Sequence, residues 1–167
     1  MTTERKRIER RTLLRRYAAG ERDFSNIDFG ETILSDVDLT GINLSGSIFL
    51  GTDLTGINLS HANLSGVKFL AVNFTSANLS GSNFSEAELI GCQCVGTDFS
   101  HANFDRAILA TNVVEEANMF PIEMDNAILI ETSFEGAINF NGPGQGSFFY
   151  QVTMPDGQSI EGPDWLD

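Results

Sequence analysis

The chain has 167 residues and a formal net charge of −13, from 23 acidic against 10 basic side chains. That length suits one domain with a real core. No run approaches the ~20 consecutive apolar residues that cross a bilayer, and the charged start leads into no apolar h-region. A membrane span and a secretory leader are therefore not expected, and the cytoplasm is the expected compartment.

The charge is unevenly placed. Residues 1–21 carry seven basic against three acidic side chains, residues 22–140 carry sixteen acidic against three basic, and residues 141–167 carry four acidic and none basic. An acidic body repels a phosphate backbone, so direct nucleic-acid binding is not expected.

In chain order, residues 1–21 read as a capping α-helix. Leu13, Leu14, Tyr17 and Ala18 fall on one apolar side. Thr2 or Thr3 suits the N-cap, Arg15 and Arg16 the last turn, and Gly20 the C-cap. The basic charge of this segment invites contact with anionic membrane or nucleic acid, but its apolar side is narrow and is needed to cover the body.

Residues 22–140 are governed by a period of five. Counting every fifth residue from Phe24 to Phe134 gives 23 consecutive apolar positions, among them Phe29, Leu34, Leu39, Leu44, Phe49 and Cys94. Two residues before each centre stands a small or β-branched residue, as at Ile42, Ala62 and Ser82; between them the residue is usually polar, as at Asn43, Asn63 and Asn83. Three extended residues followed by a corner satisfy this pattern, with Gly41, Gly46, Gly56 and Gly66 at corners. An amphipathic helix or an ordinary strand does not.

From residue 141 onward the pattern breaks at Gly142-Pro143-Gly144, after a slip of register that puts Phe140 one residue late. The segment Ser147 to Met154, the turn at Pro155-Asp156-Gly157, and Gln158 to Ile160 read as a β-hairpin cap over 141–167. One domain is expected overall.

The pattern Ala-(Asp/Asn)-Leu-Xaa-Xaa resembles the pentapeptide-repeat family, and Ala62-Asn63-Leu64-Ser65-Gly66 matches it residue for residue. The stretches Leu13 to Phe24 and Val152 to Gly157 look like the helical lead-in and tail of small cyanobacterial members. The resemblance implies an all-β fold, a right-handed quadrilateral β-helix with four pentapeptides per coil. The repeats then make just under six coils, roughly 28 Å tall at ~4.8 Å per coil. Positions 20 apart share a wall, so Phe29, Phe49 and Phe69 are expected to stack.

The residues with chemical potential fall into unremarkable places in this register. Cys92 and Cys94 are inward positions and read as reduced core thiols, because a structural zinc wants four ligands and no second pair exists. His61 and His101 share a corner column two coils apart, too far to share a metal. Glu115, Glu116, Glu123 and Asp125 read as solvated outer carboxylates. A filled prism offers no cleft to shift their pKa, and no catalytic motif accompanies them. No catalytic residue, cofactor or metal is expected.

One wall departs from the polar rule. Beside the centres Phe49, Phe69, Leu89, Leu109 and Leu129, the outward positions include Ile48, Leu50, Leu70, Ile90, Ile108, Ile128 and Ile130. An apolar stripe of this length is normally covered by something. Two readings stay open: the Phe148-Phe149-Tyr150 tail folds back over part of it, or it is a docking or dimerisation face. The expected function is a non-catalytic protein-interaction scaffold or regulator with an unidentified protein partner, monomeric or weakly dimeric. The resemblance implies an alternative, since some family members mimic duplex DNA and bind type II topoisomerases such as gyrase, conferring quinolone resistance. Those resemble longer rods, often paired through C-terminal ends, whereas this C-terminus reads as capped.

Overall fold

The computed structural model describes residues 6–119, 122–140, 142 and 144–165. Its elements are β1 (Lys6–Arg7), α1 (Arg10–Ala18), β2 (Ile27–Gly30), β3 (Ile48–Leu50), β4 (Lys68–Leu70) and β5 (Glu88–Ile90). β6 (Ile108–Ala110), β7 (Ile128–Ile130), β8 (Phe148–Tyr150), β9 (Val152–Thr153), β10 (Ser159–Ile160) and β11 (Asp164–Trp165) follow. β1 through β8 pair in sequence as parallel neighbours in one sheet, and β11 adds antiparallel to β8.

The register of β3 through β8 advances by 20 residues per rung: Phe49 opposes Phe69, Phe69 opposes Leu89, and Leu129 opposes Phe149. The other three walls keep the same step through single bridges, such as Asn43 to Asn63, Asn58 to Asn78 and Asn73 to Gln93. The result is a four-walled β-helix of about seven turns.

Three walls bend and one runs as strand, and for most coils the walls differ in the outward residue before the centre. Where it is Asn or Asp, its side-chain oxygen accepts the backbone N–H two residues on, as from Ser45 to Asn43 at 3.1 Å and Ser65 to Asn63 at 3.2 Å. That Asx bend leads into a turn closed by Ser47 N–H to Leu44 O at 3.1 Å and Val67 N–H to Leu64 O at 3.2 Å. The Thr40 hydroxyl, and then its N–H, holds the Asp38 carboxyl below the usual carboxylate range, and Thr55 does the same to Asp53. The stability these depressed carboxyls add is fully present above the ordinary carboxylate range and is lost as pH falls from there through their lowered folded-state range. On the remaining wall the residue from β3 onward is Ile48, Lys68, Glu88, Ile108, Ile128 or Phe148, and three-residue strands result. β2 carries Asp28 there, which accepts the Gly30 N–H at 2.9 Å, and still forms a four-residue strand.

The interior is filled by the predicted centres. Phe29 and Phe49 stack at 4.3 Å and Phe49 and Phe69 at 5.0 Å, and on another wall Phe84 and Phe104 stack at 4.5 Å. Polar residues at the small inward positions bond to the backbone of the coil before. Thr97 donates to Phe74 O at 2.8 Å, and Asn112 accepts from Cys92 N–H and donates to Leu89 O. Among the described residues no buried side-chain nitrogen or oxygen lacks a partner.

Both ends differ from the expectation. The helix does not run from residue 3: Lys6 and Arg7 pair with Ile27 and Asp28 as one more rung, so α1 starts at Arg10 behind Glu9. Thr2 and Thr3 lie outside the described residues. The other end of the helix is as expected, with Gly20 at φ +94°, its N–H on Tyr17 O, and Glu21 N–H on Arg16 O, a Schellman closure.

At the C-terminal end the solenoid does not stop at residue 140. Phe140 slips beside the centre position, stacking on Phe134 at 4.6 Å, and the 20-residue register resumes at Phe149. Gly144 occupies the centre position between, where a Cβ would meet the Asp125 backbone nitrogen at 2.9 Å. The hairpin is confined to β9 and β10, Val152 opposing Ile160.

The corner residues carry strain that the repeat pattern conceals. Besides glycines, Ala71, Thr111 and Glu131 hold φ of +52°, +55° and +48° in one corner column beside the strand wall. A β-branched residue suffers most there. Thr111→Gly is expected to raise stability by about 0.5–1 kcal/mol, after glycine's own entropic cost is subtracted. A denaturation midpoint that stays put or falls would show the Thr111 hydroxyl bond to Ala110 O, at 2.7 Å, to be worth more than the relief.

Candidate interaction surface

On the strand wall, centres point inward and their two neighbours point out, as the pleat requires. The row after the centres is a continuous ladder in which Leu50 opposes Leu70, Leu70 opposes Ile90, Ile90 opposes Ala110, Ala110 opposes Ile130, and Ile130 opposes Tyr150. The row before the centres runs Ile48, Lys68, Glu88, Ile108, Ile128 and Phe148. Its two charges neutralise one another, Lys68 Nζ lying 2.5 Å from Glu88 Oε1. Leu50 is 50% exposed and Ile90 38%, while Ile48, Leu70, Ile108, Ile128 and Ile130 are half-buried by their ladder neighbours.

The tail does not fold over this stripe. Phe148 and Tyr150 are its next rung, and Trp165 joins them from β11, its ring 4.9 Å from that of Phe148. With Tyr150 at 38% and Trp165 at 62% exposure, the stripe ends in an open aromatic cluster. Sequence reasoning missed these three residues, although Phe149 stands 20 after Leu129 and so carried the signal. Among the described residues the other exposed large apolar residues, Ile33 and Ile138, stand singly. Flanking the stripe, the corner column runs Gly51, Ala71 and Gly91, then Thr111, Glu131 and Gln151.

The other chemically capable residues sit where the register puts them. Cys92 and Cys94 are buried; burial pushes the Cys92 thiol up to about 11, and burial, then the neighbouring Cys92, pushes Cys94 up as well. Thiols held protonated in this way are poor nucleophiles. His61 and His101 are exposed corners at φ +58° and +59°, with Gly81 on the coil between them. Glu116, Glu123 and Asp125 are exposed and Glu115 half-exposed; the Asp125 carboxylate accepts the Gln145 N–H at 3.0 Å.

The sequence model of the pentapeptide repeat region matches residues 22–99. The chain is a pentapeptide-repeat protein. Two trypsin-treated forms of QnrB1, a plasmid-mediated fluoroquinolone resistance protein, share this pentapeptide-repeat protein's fold at TM-score 0.56 and 24% identity. The match covers 88% of this chain and 67% of the first form, and 78% of this chain and 61% of the second. The pentapeptide-repeat protein therefore spans about two thirds of the one and less of the other. Rfr23, a pentapeptide-repeat protein from the cyanobacterium Cyanothece 51142, is 22% identical over 80% of this chain and 95% of its own, at TM-score 0.46. At 24% identity the QnrB1 likeness shows the fold alone. No curated protein matches the sequence significantly.

Proposed function

We propose that this pentapeptide-repeat protein is a non-catalytic scaffold or regulator that docks a protein partner on its strand wall. The observation behind this reading is the unbroken ladder from Leu50 to Tyr150, which leaves apolar side chains open to water on an otherwise polar prism. Contiguous exposed apolar surface of this kind marks an interaction site. The wall is close to neutral, so a partner meets little of the charge that the other walls carry.

The double change Leu70→Asp and Ile90→Asp alters only outward side chains. It is expected to abolish partner capture while shifting stability by less than about 1 kcal/mol. Affinity capture beside a denaturation curve reads both quantities. A collapse of stability with capture unchanged would make the stripe internal packing and end this reading.

A second reading is an acidic mimic of duplex DNA that binds a type II topoisomerase. It is favoured by the −13 net charge together with the fold shared with QnrB1. Inhibition of gyrase supercoiling by the purified protein tests it directly, and undiminished supercoiling at saturating protein removes it.

A further inference from the structure

The two ends of the prism are finished with opposite charge. At the N-terminal end the last strand is β1, Lys6–Arg7, and beside it the cap helix α1 presents Arg10, Arg11 and Arg15 to solvent. Arg7 pairs with Asp28 at 3.1 Å, whereas Arg10, Arg11 and Arg15 form no ion pair among the described residues. At the C-terminal end the last strand is β11, Asp164–Trp165, and Asp156, Glu161 and Asp164 are all exposed. Residues 141–167 contain no lysine or arginine to balance them. One nine-stranded sheet runs the length of the molecule, with β1 and β11 as its outermost strands.

From these observations we infer that successive copies of this chain dock head to tail, the basic end of one on the acidic end of the next. Charged edge strands normally blunt sheet-to-sheet association, because identical edges repel. Here that protection holds for like ends only: two basic ends repel, two acidic ends repel, and a basic end meeting an acidic end attracts. Trp165, 62% exposed at the acidic end, adds an aromatic face suited to a guanidinium. Screening favours the contact over the body. At about 0.15 M salt, charges beyond ~8 Å are damped, so groups facing across the junction act while the rest of each acidic prism is muted. At about 1 M the screening length falls to ~3 Å and the attraction goes with it. A head-to-tail contact on a rod does not close on itself, so the product is an open stack.

The inference rests on the charges at the ends and shares only Trp165 with the apolar wall. Sedimentation velocity of the full chain, from micromolar to millimolar concentration, is expected to show species growing with concentration at moderate salt and dispersing at high salt. Two neutralised variants sharpen the test: Arg10→Gln with Arg11→Gln, and Glu161→Gln with Asp164→Asn. Each alone is expected to associate roughly tenfold more weakly, since exposed ion pairs contribute up to about a factor of five apiece. Because each variant keeps one intact end, their equimolar mixture is expected to form a 1:1 dimer that grows no further. A chain that stays monomeric throughout, or association that persists in high salt and in both variants, overturns the inference. The second outcome, if removed by Leu70→Asp with Ile90→Asp, would assign the association to the wall instead.

Discussion

Phe69→Ala is expected to cost about 3–5 kcal/mol, among the largest losses a single side chain in this molecule can cause. Phe69 is fully buried, stacks on Phe49 at 5.0 Å, and meets the edge of Phe74 at 5.0 Å and the tilted ring of Phe84 at 6.1 Å. In an ordinary core, neighbours relax into part of such a cavity. Here the coils above and below are held apart by a ladder of backbone bonds, such as Leu64 N–H to Asn83 O at 2.8 Å and Asn83 N–H to Ala62 O at 2.9 Å. The hole therefore keeps most of its volume, and the cost belongs near the top of the range. Chemical denaturation followed by circular dichroism checks this. A midpoint matching the unsubstituted protein would mean that Phe69 does not point inward.

Leu13→Asp is expected to detach the helix. Leu13 is fully buried beneath α1, with Ile8 buried and Leu14 and Tyr17 packed beside it, and the Tyr17 hydroxyl donates to Thr40 O at 2.8 Å. The Arg16 guanidinium beneath the helix is already bound to Glu21, and a buried carboxylate left unpaired there costs more than about 3 kcal/mol, enough to favour release over burial. In a solenoid each coil leans mainly on its neighbours. Amide exchange is accordingly expected to speed by at least a hundredfold across α1 and the first coil, while coils past Phe69 keep their protection. If α1 amides stay protected, the helix is held by something other than Leu13. Uniform loss along the rod would show that the cap stabilises the whole stack.

Much of the fold was legible in the spacing of residues alone. An inward position every fifth residue, a small residue two before it and an Asn between are local demands that repeat coil after coil. Twenty-residue ladders such as Phe29, Phe49, Phe69 follow by counting. The apolar wall was legible for the same reason, because Leu50, Leu70, Ile90 and Ile130 are themselves in register.

What the chain pattern left open belongs to contacts that no period encodes. The corners take αL backbone at His61, Ala71 and Thr111 as well as at glycine, at a cost glycine avoids, because the ladder bonds on either side impose φ whatever residue stands there. Lys6 and Arg7 read as helix from their neighbours, yet the free edge of Ile27 and Asp28 captures them as strand, since satisfied backbone bonds outweigh a weak local preference. At the far end Gly142-Pro143-Gly144 interrupts the pattern. Phe149 nevertheless resumes it, because a parallel rung pairs the exposed edge of β7 and keeps the chain winding in the same sense. Trp165 reaches Phe148 by an antiparallel return of the chain, a pairing set by the open edge of β8 and by the ring it covers, which spacing along the sequence does not specify.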